Sequence, residues 1–259
     1  SPPIGLPALE QRLAHDLACL GWPARPWMPA QPPVDGLPVL DVAIIGAGQA
    51  GMAVAACLAQ NGIHAVLFDR QGAGLEGPWA TTARMETLRS PKELTGPALG
   101  LPALTFRAWY EAQFGAAGWT ALDKIPRLQW MDYLRWYRRV MALDVRNHTA
   151  VVAVLPRADG RVLLHLRAAG ADSRVLARRV VLATGRDGLG GPWVPDWAAD
   201  IPRHQWVHSG EAWDGERFRG QRVAVVGGGA SAMDVAATAL EAGAARVDLL
   251  IRRENARRP

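Results

Sequence analysis

A glycine-rich hexapeptide directly after an apolar run is the feature that most constrains this 259-residue chain. Residues 39–45 are apolar apart from one aspartate, and residues 46–51 read Gly-Ala-Gly-Gln-Ala-Gly. A stretch rich in small residues follows to Gln60, and a second apolar run covers residues 65–68. This order predicts a strand, a tight turn, a helix and a parallel strand, which is the context in which GxGxxG indicates dinucleotide binding.

Each glycine of this loop has a predicted role. Gly46 permits the tight turn, Gly48 lets the backbone approach a pyrophosphate, and Gly51 lets helix and strand pack closely, while the helix N-terminus faces the anion. Asp69 ends the second strand, 23 residues after Gly46, and its carboxylate can accept hydrogen bonds from ribose hydroxyls. Because that carboxylate would repel a 2′-phosphate, the pattern favours FAD or NAD. The alternative is a solvent-exposed acid at a strand end.

The same pattern recurs near the end of the chain. Residues 227–232 read Gly-Gly-Gly-Ala-Ser-Ala, with alanine in place of the third glycine, a variant that the motif allows. The strand predicted over Val247 to Ile251 is followed by Arg252 and Arg253, so two cations stand where the first unit has an acid. Guanidinium groups suit bidentate phosphate contacts, and the second loop therefore predicts NADPH rather than NADH. Since the chain contains 27 arginines, chance placement is the alternative.

Composition excludes several other classes of protein. The net charge of +5 comes from arginines that are scattered and not interleaved with aromatic residues, which disfavours a nucleic-acid partner. Two cysteines, Cys19 and Cys57, provide no disulfide framework, metal cluster or redox dithiol motif, so we predict no metal and a reducing, cytoplasmic location. The most apolar window, Asp41 to Ala59, is interrupted by glycines, and we predict no membrane span.

The fold class predicted is α/β, with a Rossmann-like FAD-binding domain, a three-stranded meander and a second, truncated Rossmann-like NADPH-binding unit. Residues 1–38 contain nine of the 19 prolines and form an arm with a short helix. Residues 39–200 form the FAD domain, and residues 201–259 form a linker and the start of the NADPH domain. Helices are predicted over Leu9–Leu20, from the N-cap Thr105 to Gly115, and after Pro126; the meander strands are predicted over 149–155, 161–167 and 175–182.

One strand–helix–strand unit cannot close a doubly wound domain. We therefore expect this chain to be the N-terminal part of a longer protein, without the residues that determine its substrate. The oligomeric state is not predicted.

Three segments resemble known flavoproteins. Residues 180–185, Val-Val-Leu-Ala-Thr-Gly, resemble the ATG motif that returns the chain to the FAD domain of two-dinucleotide-binding flavoproteins. Gly77-Pro78-Trp79 resembles the Gly-Gly-x-Trp segment, and residues 90–94 resemble the Ser-Lys-Glu-Met stretch, of class B flavin-dependent monooxygenases. Two departures are visible. Arg89 stands where the family has Asn, and the Baeyer-Villiger motif is degenerate at His208 and Trp213, so that branch is not assigned.

The resemblance implies a mechanism that belongs mostly to the cofactor. NADPH would reduce FAD, O2 would add at the flavin C4a, and the resulting C4a-(hydro)peroxyflavin would oxygenate a small organic substrate. Trp79 and Arg89 would lie near the flavin, although core packing is an alternative for Trp79. The candidate FAD contacts are Gly46, Gly48, Gln49, Gly51, Asp69, Arg70, Trp79, Thr184 and Gly185. The candidate NADPH contacts are Gly227, Gly229, Ala230, Ser231, Arg252 and Arg253.

Two other functions fit the same residues. The first is another flavoprotein reductase or oxidase on this fold, although Cys19 and Cys57 lie too far apart in sequence for a disulfide-reductase motif. The second is a nucleotide-binding or sensor protein without enzymatic activity.

Overall fold

The computed structural model describes residues 5–185, 188 and 190–252, and the chain divides into two compact units. The first unit consists of Ser1–Ala80 and Thr87–Arg186, and the second consists of Thr81–Glu86 and Asp187–Pro259. The N-terminal helix therefore belongs to the first unit. The contacts divide the chain near residue 186, whereas the sequence predicts a boundary after residue 200.

A six-stranded sheet forms the centre of the first unit, in the order β3-β2-β1-β6-β5-β4. Strands β3, β2, β1 and β6 run parallel, and β6, β5 and β4 form an antiparallel meander, so β6 joins the two halves. The predicted α/β class and the predicted meander are confirmed. The strands are β1 Val39–Ile45, β2 Ala65–Phe68, β3 Val145–Arg146, β4 Thr149–Pro156, β5 Val162–Ala168 and β6 Ala171–Leu182.

Four helices pack with this sheet: α1 Leu6–Cys19, α2 Gln49–Gln60, α3 Phe106–Ala121 and α4 Arg127–Val140. The predicted N-cap of α3 is confirmed, because the Thr105 hydroxyl accepts a hydrogen bond from the Ala108 N–H at 3.1 Å. The prediction that Gly115 ends the first helical stretch is confirmed, because Gly115 has a non-helical φ of 72° and ψ of 172°. A second helical stretch follows this kink as far as Ala121, and its Trp119 side chain is buried in the core.

An aromatic cluster on α3 and α4 forms much of the core. The Phe106 ring lies 5.5–6.3 Å from the rings of five neighbours: Trp109, Tyr110, Trp119, Trp130 and Tyr133. The buried apolar residues of α4 lie in this core: Trp130, Met131, Tyr133, Leu134, Trp136 and Tyr137. The Tyr133 hydroxyl donates to the Leu104 carbonyl at 2.7 Å, and burial raises the pKa of Tyr133 above its usual range. This packing fixes α4 against α3.

The second unit is built on one strand–helix–strand element: β7 Arg222–Val226, α5 Ala230–Glu241 and β8 Arg246–Leu250. The two strands pair in parallel, from Arg222 opposite Arg246 to Val226 opposite Leu250. A small core of Val225, Ala232 and Ala236 joins helix and strands. No helix in the described part of the chain combines the length and the apolar character needed to cross a membrane.

Candidate functional site

The first glycine loop lies at the carboxyl ends of three parallel strands. The Gly46 N–H donates to the Phe68 carbonyl at the end of β2, and the Ala183 N–H donates to the Ile45 carbonyl, both at 2.8 Å. The loop, Asp69 and the segment through Thr184 therefore meet at one edge of the sheet. Ligands of open α/β sheets bind at this edge.

Two glycines of the loop are required on steric grounds. Gly46 has a φ of 100°, and a Cβ there would lie 2.4 Å from the Ala183 carbonyl oxygen. A Cβ at Gly51 would lie 2.0 Å from the Gly46 carbonyl oxygen, which is also backbone. Neither oxygen can move without moving a strand or a helix. These contacts keep α2 close to the end of β1, so the α2 N-terminus is directed at the sheet edge.

Gly48 is predicted to let the backbone approach a pyrophosphate, but the direction of its missing side chain faces Gly77. A Cβ at Gly48 would lie 3.4 Å from the Gly77 Cα, which is an ordinary contact distance. Gly77 has a φ of 76°, and its own missing side chain faces Gly48 in turn. Gly77, the first residue of the segment Gly77-Pro78-Trp79, therefore lies beside the glycine loop, a proximity that the sequence resemblance alone does not give.

Asp69 holds the glycine loop to the end of β2. Its Oδ2 accepts a hydrogen bond from the Ala47 N–H and its Oδ1 accepts one from the Gln71 N–H, both at 2.8 Å. Asp69 is 7% exposed, so the alternative of a solvent-exposed acid is wrong. Each carboxylate oxygen has a further lone pair, so the group can anchor the loop and still accept from ligand hydroxyls. Sequence reasoning missed the anchoring role.

Thr184 provides a buried polar atom at the same edge. Its Oγ1 is inaccessible to solvent and has no hydrogen-bond partner among the described residues. Buried hydroxyls in proteins are normally hydrogen-bonded, so an orphaned one at a ligand-binding edge fits a bound polar group. Gly185 follows with a φ of 81°, and no described atom beyond its chain neighbours lies within 4 Å of a Cβ placed on it.

Three further residues predicted to contact FAD are Gln49, Trp79 and Arg70. The Gln49 side-chain oxygen accepts from the Trp130 indole N–H at 3.2 Å, which links the start of α2 to α4. Trp79 is half-buried against the main core, and its carbonyl accepts from the Arg127 guanidinium. Arg70 is exposed beside Asp69.

Arg89 lines an open cleft of about 580 Å³ formed by residues 89–93 and 120–124, and the described lining contains no residue of the glycine loop. Within this cleft the Lys92 ammonium donates to the Trp119 carbonyl at 2.9 Å and also to the Leu122 carbonyl. Lys92 therefore satisfies the last carbonyls of α3. Sequence reasoning missed this cap, because lysine and helix end are about thirty residues apart in sequence.

The second glycine loop repeats the first in its backbone and differs in its side chains. The Gly227 N–H donates to the Leu250 carbonyl at 3.0 Å, as the Gly46 N–H does to Phe68, and Gly229 is the N-cap of α5. Ile251 directly follows β8, where Asp69 follows β2, and a Cβ at Gly228 would lie 3.0 Å from the Ile251 side chain.

The position occupied by a carboxylate in the first unit is therefore apolar in the second, and the prediction that two cations stand at that position is wrong, because β8 ends one residue earlier than predicted. The exposed Arg252 follows Ile251, and Ala230 and Ser231 open the helix. Arg253 lies outside the described residues.

Two dinucleotide-type loops on one chain define a class of flavoprotein, and the chain belongs to the pyridine nucleotide-disulphide oxidoreductase family, whose model matches residues 40–259. The predicted resemblance to two-dinucleotide-binding flavoproteins is confirmed. Over 254 residues the chain is 48% identical to the FAD-dependent urate hydroxylase of Xanthomonas campestris pv. campestris, covering 96% of this chain and 53% of that protein.

More distant relatives agree with this class. The chain is 30% identical to an indole-3-pyruvate monooxygenase of Oryza sativa subsp. japonica, covering 80% of this chain and 48% of that protein. The ornithine hydroxylase of Pseudomonas aeruginosa has the same fold, with a TM-score of 0.68 at 21% identity over 83% of this chain and 55% of that one. The chain spans about half the length of the curated relatives that it matches.

Proposed function

We propose that this chain is the nucleotide-binding part of an NADPH- and FAD-dependent monooxygenase that acts on a small organic substrate with O2. The observation that carries the proposal is the contrast between the two loops. The first unit places the buried carboxylate of Asp69 directly after its second strand, and the second unit places Ile251 there, followed by arginine. One site then suits a dinucleotide with free ribose hydroxyls, and the other suits one with a 2′-phosphate.

The residues present in the first unit fit FAD. Backbone amides of the loop 46–51 and the start of α2 would hold the diphosphate. Asp69 would accept from the adenosine ribose, and the Thr184 hydroxyl would gain the partner that it lacks among the described residues. When bound, the flavin would supply the hydride and oxygen chemistry. Gly77, which lies beside Gly48 of the loop, would shield the diphosphate from water on that side.

The relatives support oxygenation over other flavin chemistry. Two of the curated relatives are a urate hydroxylase and an indole-3-pyruvate monooxygenase, which makes urate the first substrate to test for this chain. Disulfide reduction has less support, since Cys19 lies on α1 and Cys57 on α2, and the two are too far apart in sequence to form a redox dithiol motif. The cytoplasmic location inferred from the cysteine content stays a prediction.

Removal of the two arginines after β8 is expected to weaken NADPH binding selectively. Arg252→Ala combined with Arg253→Ala should raise the Kd for NADPH by roughly 10- to 100-fold, because charge-assisted hydrogen bonds to a phosphate contribute about 1.5–3 kcal/mol. The Kd for NADH should change less than about twofold, since NADH has no 2′-phosphate. Calorimetric titration of both nucleotides measures the difference.

Arg222→Ala is the matched control for this test. Arg222 is an exposed arginine of the same unit, at the start of β7 and therefore at the opposite end of the strand from the glycine loop. This variant should bind both nucleotides like the unmodified chain. An equal loss of NADH and NADPH affinity in the double variant would contradict the proposed phosphate site.

A further inference from the structure

Glu76 is a buried carboxylate one residue before the glycine that packs on the first loop. The residue is 3% exposed. Its Oε1 accepts from the Asn147 amide at 2.7 Å and forms an ion pair with the Arg138 guanidinium, and its Oε2 accepts from the Gly74 N–H at 2.9 Å. These donors come from α4, from the turn between β3 and β4, and from the segment that contains Glu76 itself.

Further hydrogen bonds tie this segment to the same two elements. The Arg135 guanidinium donates twice to the Gly74 carbonyl, at 2.7 and 2.9 Å. The Gln71 carbonyl accepts from the Asn147 amide at 3.1 Å and from the His148 N–H at 3.0 Å. Residues 71–76 are therefore fixed from Asp69 onward, although they contain no helix or strand.

Glu76 can influence the nucleotide site through the backbone of the next residue, Gly77. Gly77 directly follows Glu76, and the Gly77 Cα lies 3.4 Å from the position of a Cβ on Gly48. A displacement of Gly77 towards the loop would therefore press on the residue that caps α2. A displacement away from it would open the space beside the loop on that side.

We propose that Glu76 is a positioning residue of the first nucleotide site, which it controls by fixing Gly77 against Gly48 and so fixing the amides that face the phosphates. The inference rests on the proposed function for the identity of the ligand. Burial of a carboxylate costs free energy even when it is paired, and a hydrophobic residue would often serve stability as well. The Glu76 carboxylate binds Arg138 and Asn147, which lie 62 and 71 residues away from it in sequence, and so fixes the position of Gly77.

Glu76→Gln tests this role, because glutamine keeps the shape and directs an amide N–H2 at one of the donors that the carboxylate accepts from. The Kd for FAD should rise at least tenfold, and the Kd for ADP should rise by a similar factor. The Kd for adenosine, which has no phosphate, should change less than twofold. The Kd for FAD is measured by fluorescence titration, and the Kd values for ADP and adenosine are measured by calorimetry. All measurements are made at a temperature at which circular dichroism shows that each variant is folded.

Glu10→Gln is the matched control. Glu10 on α1 pairs with Arg139, the residue next to Arg138 on α4, and accepts from the Trp136 indole N–H at 3.0 Å. No described contact joins Glu10 to residues 71–77, so its Kd for FAD and ADP should stay within twofold of that of the unmodified chain. Asn147→Ala is the second variant to measure, and it serves as the test if Glu76→Gln does not fold. It removes one donor to Glu76 and leaves the ion pair with Arg138, so the Kd for ADP should rise by a smaller factor than in Glu76→Gln.

Two results separate the inference from the function on which it rests. If the unmodified chain binds neither FAD nor ADP, the proposed function fails and the inference fails with it. If the unmodified chain binds both, and Glu76→Gln binds ADP equally well or loses adenosine as strongly as ADP, the positioning role is overturned and the proposed function stands.

Discussion

Replacement of Gly51 by alanine is expected to destabilise the first unit by roughly 3 kcal/mol and to weaken FAD binding more than a hundredfold, since insertion of a methyl group into a closely packed site forces backbone shifts. The new Cβ would lie 2.0 Å from the Gly46 carbonyl oxygen. To relieve that contact, α2 must move away from β1, and the loop amides must move with it. Urea unfolding measures the first effect, and fluorescence titration with FAD measures the second.

Gly229→Ala is the control for this variant. Gly229 stands before α5 as Gly48 stands before α2, but no atom lies within 4 Å of a Cβ placed on it, and its φ is −93°. We expect this change to lower the free energy of unfolding by about 1 kcal/mol at most, the usual cost of alanine at an N-cap, and to leave FAD binding unchanged. A Gly51→Ala chain that unfolds and binds FAD like the Gly229→Ala chain would contradict the close packing described for the first loop.

Asp69→Asn is expected to have the second largest effect. Asparagine keeps the shape but turns an N–H2 group towards either the Ala47 N–H or the Gln71 N–H, so a buried donor loses its acceptor. The loss of one such hydrogen bond to a charged group costs about 1.5–3 kcal/mol of stability. FAD binding should weaken at least tenfold, because the loop loses its anchor and the ribose loses a charged acceptor.

The control for Asp69 is Asp41→Asn. Asp41 lies in β1 of the same sheet and faces the Arg178 guanidinium at 3.5 Å, near the amino end of the strand. Asp41→Asn should lower the free energy of unfolding by less than about 1 kcal/mol, the usual contribution of a partly exposed ion pair, and should leave the Kd for FAD unchanged. If the two variants gave the same Kd for FAD, Asp69 would have no role at the nucleotide site.

Much of the nucleotide-binding fold could be predicted from local sequence. The bounds of β1 and β2 and the end of α2 agree with the apolar runs and with their glycine and aspartate borders. Strand β3 could not be predicted, because two residues, Val145–Arg146, carry no periodicity. The break at Gly115 could be predicted from its glycine, whereas the helical stretch that follows it and buries Trp119 was not predicted.

The parts of the site that could not be predicted are contacts between residues far apart in sequence. The motifs predict that the glycine loop, Asp69 and Thr184 share a sheet edge, since parallel strands place their carboxyl ends together. No motif predicts that Gly77 faces Gly48, or that Glu76 accepts from Arg138 and Asn147. Such pairings depend on where α4 packs, and that is set by the aromatic core.

The most direct test of the central claim, that the first site holds FAD and the second holds NADPH, is the visible absorption spectrum of the purified chain. FAD is titrated in, excess is removed, and NADPH or NADH is then added without oxygen before air is admitted. We expect a bound-flavin spectrum that bleaches faster with NADPH than with NADH and returns in air. A chain that retains no FAD, or one that NADH bleaches as readily as NADPH, would contradict the account.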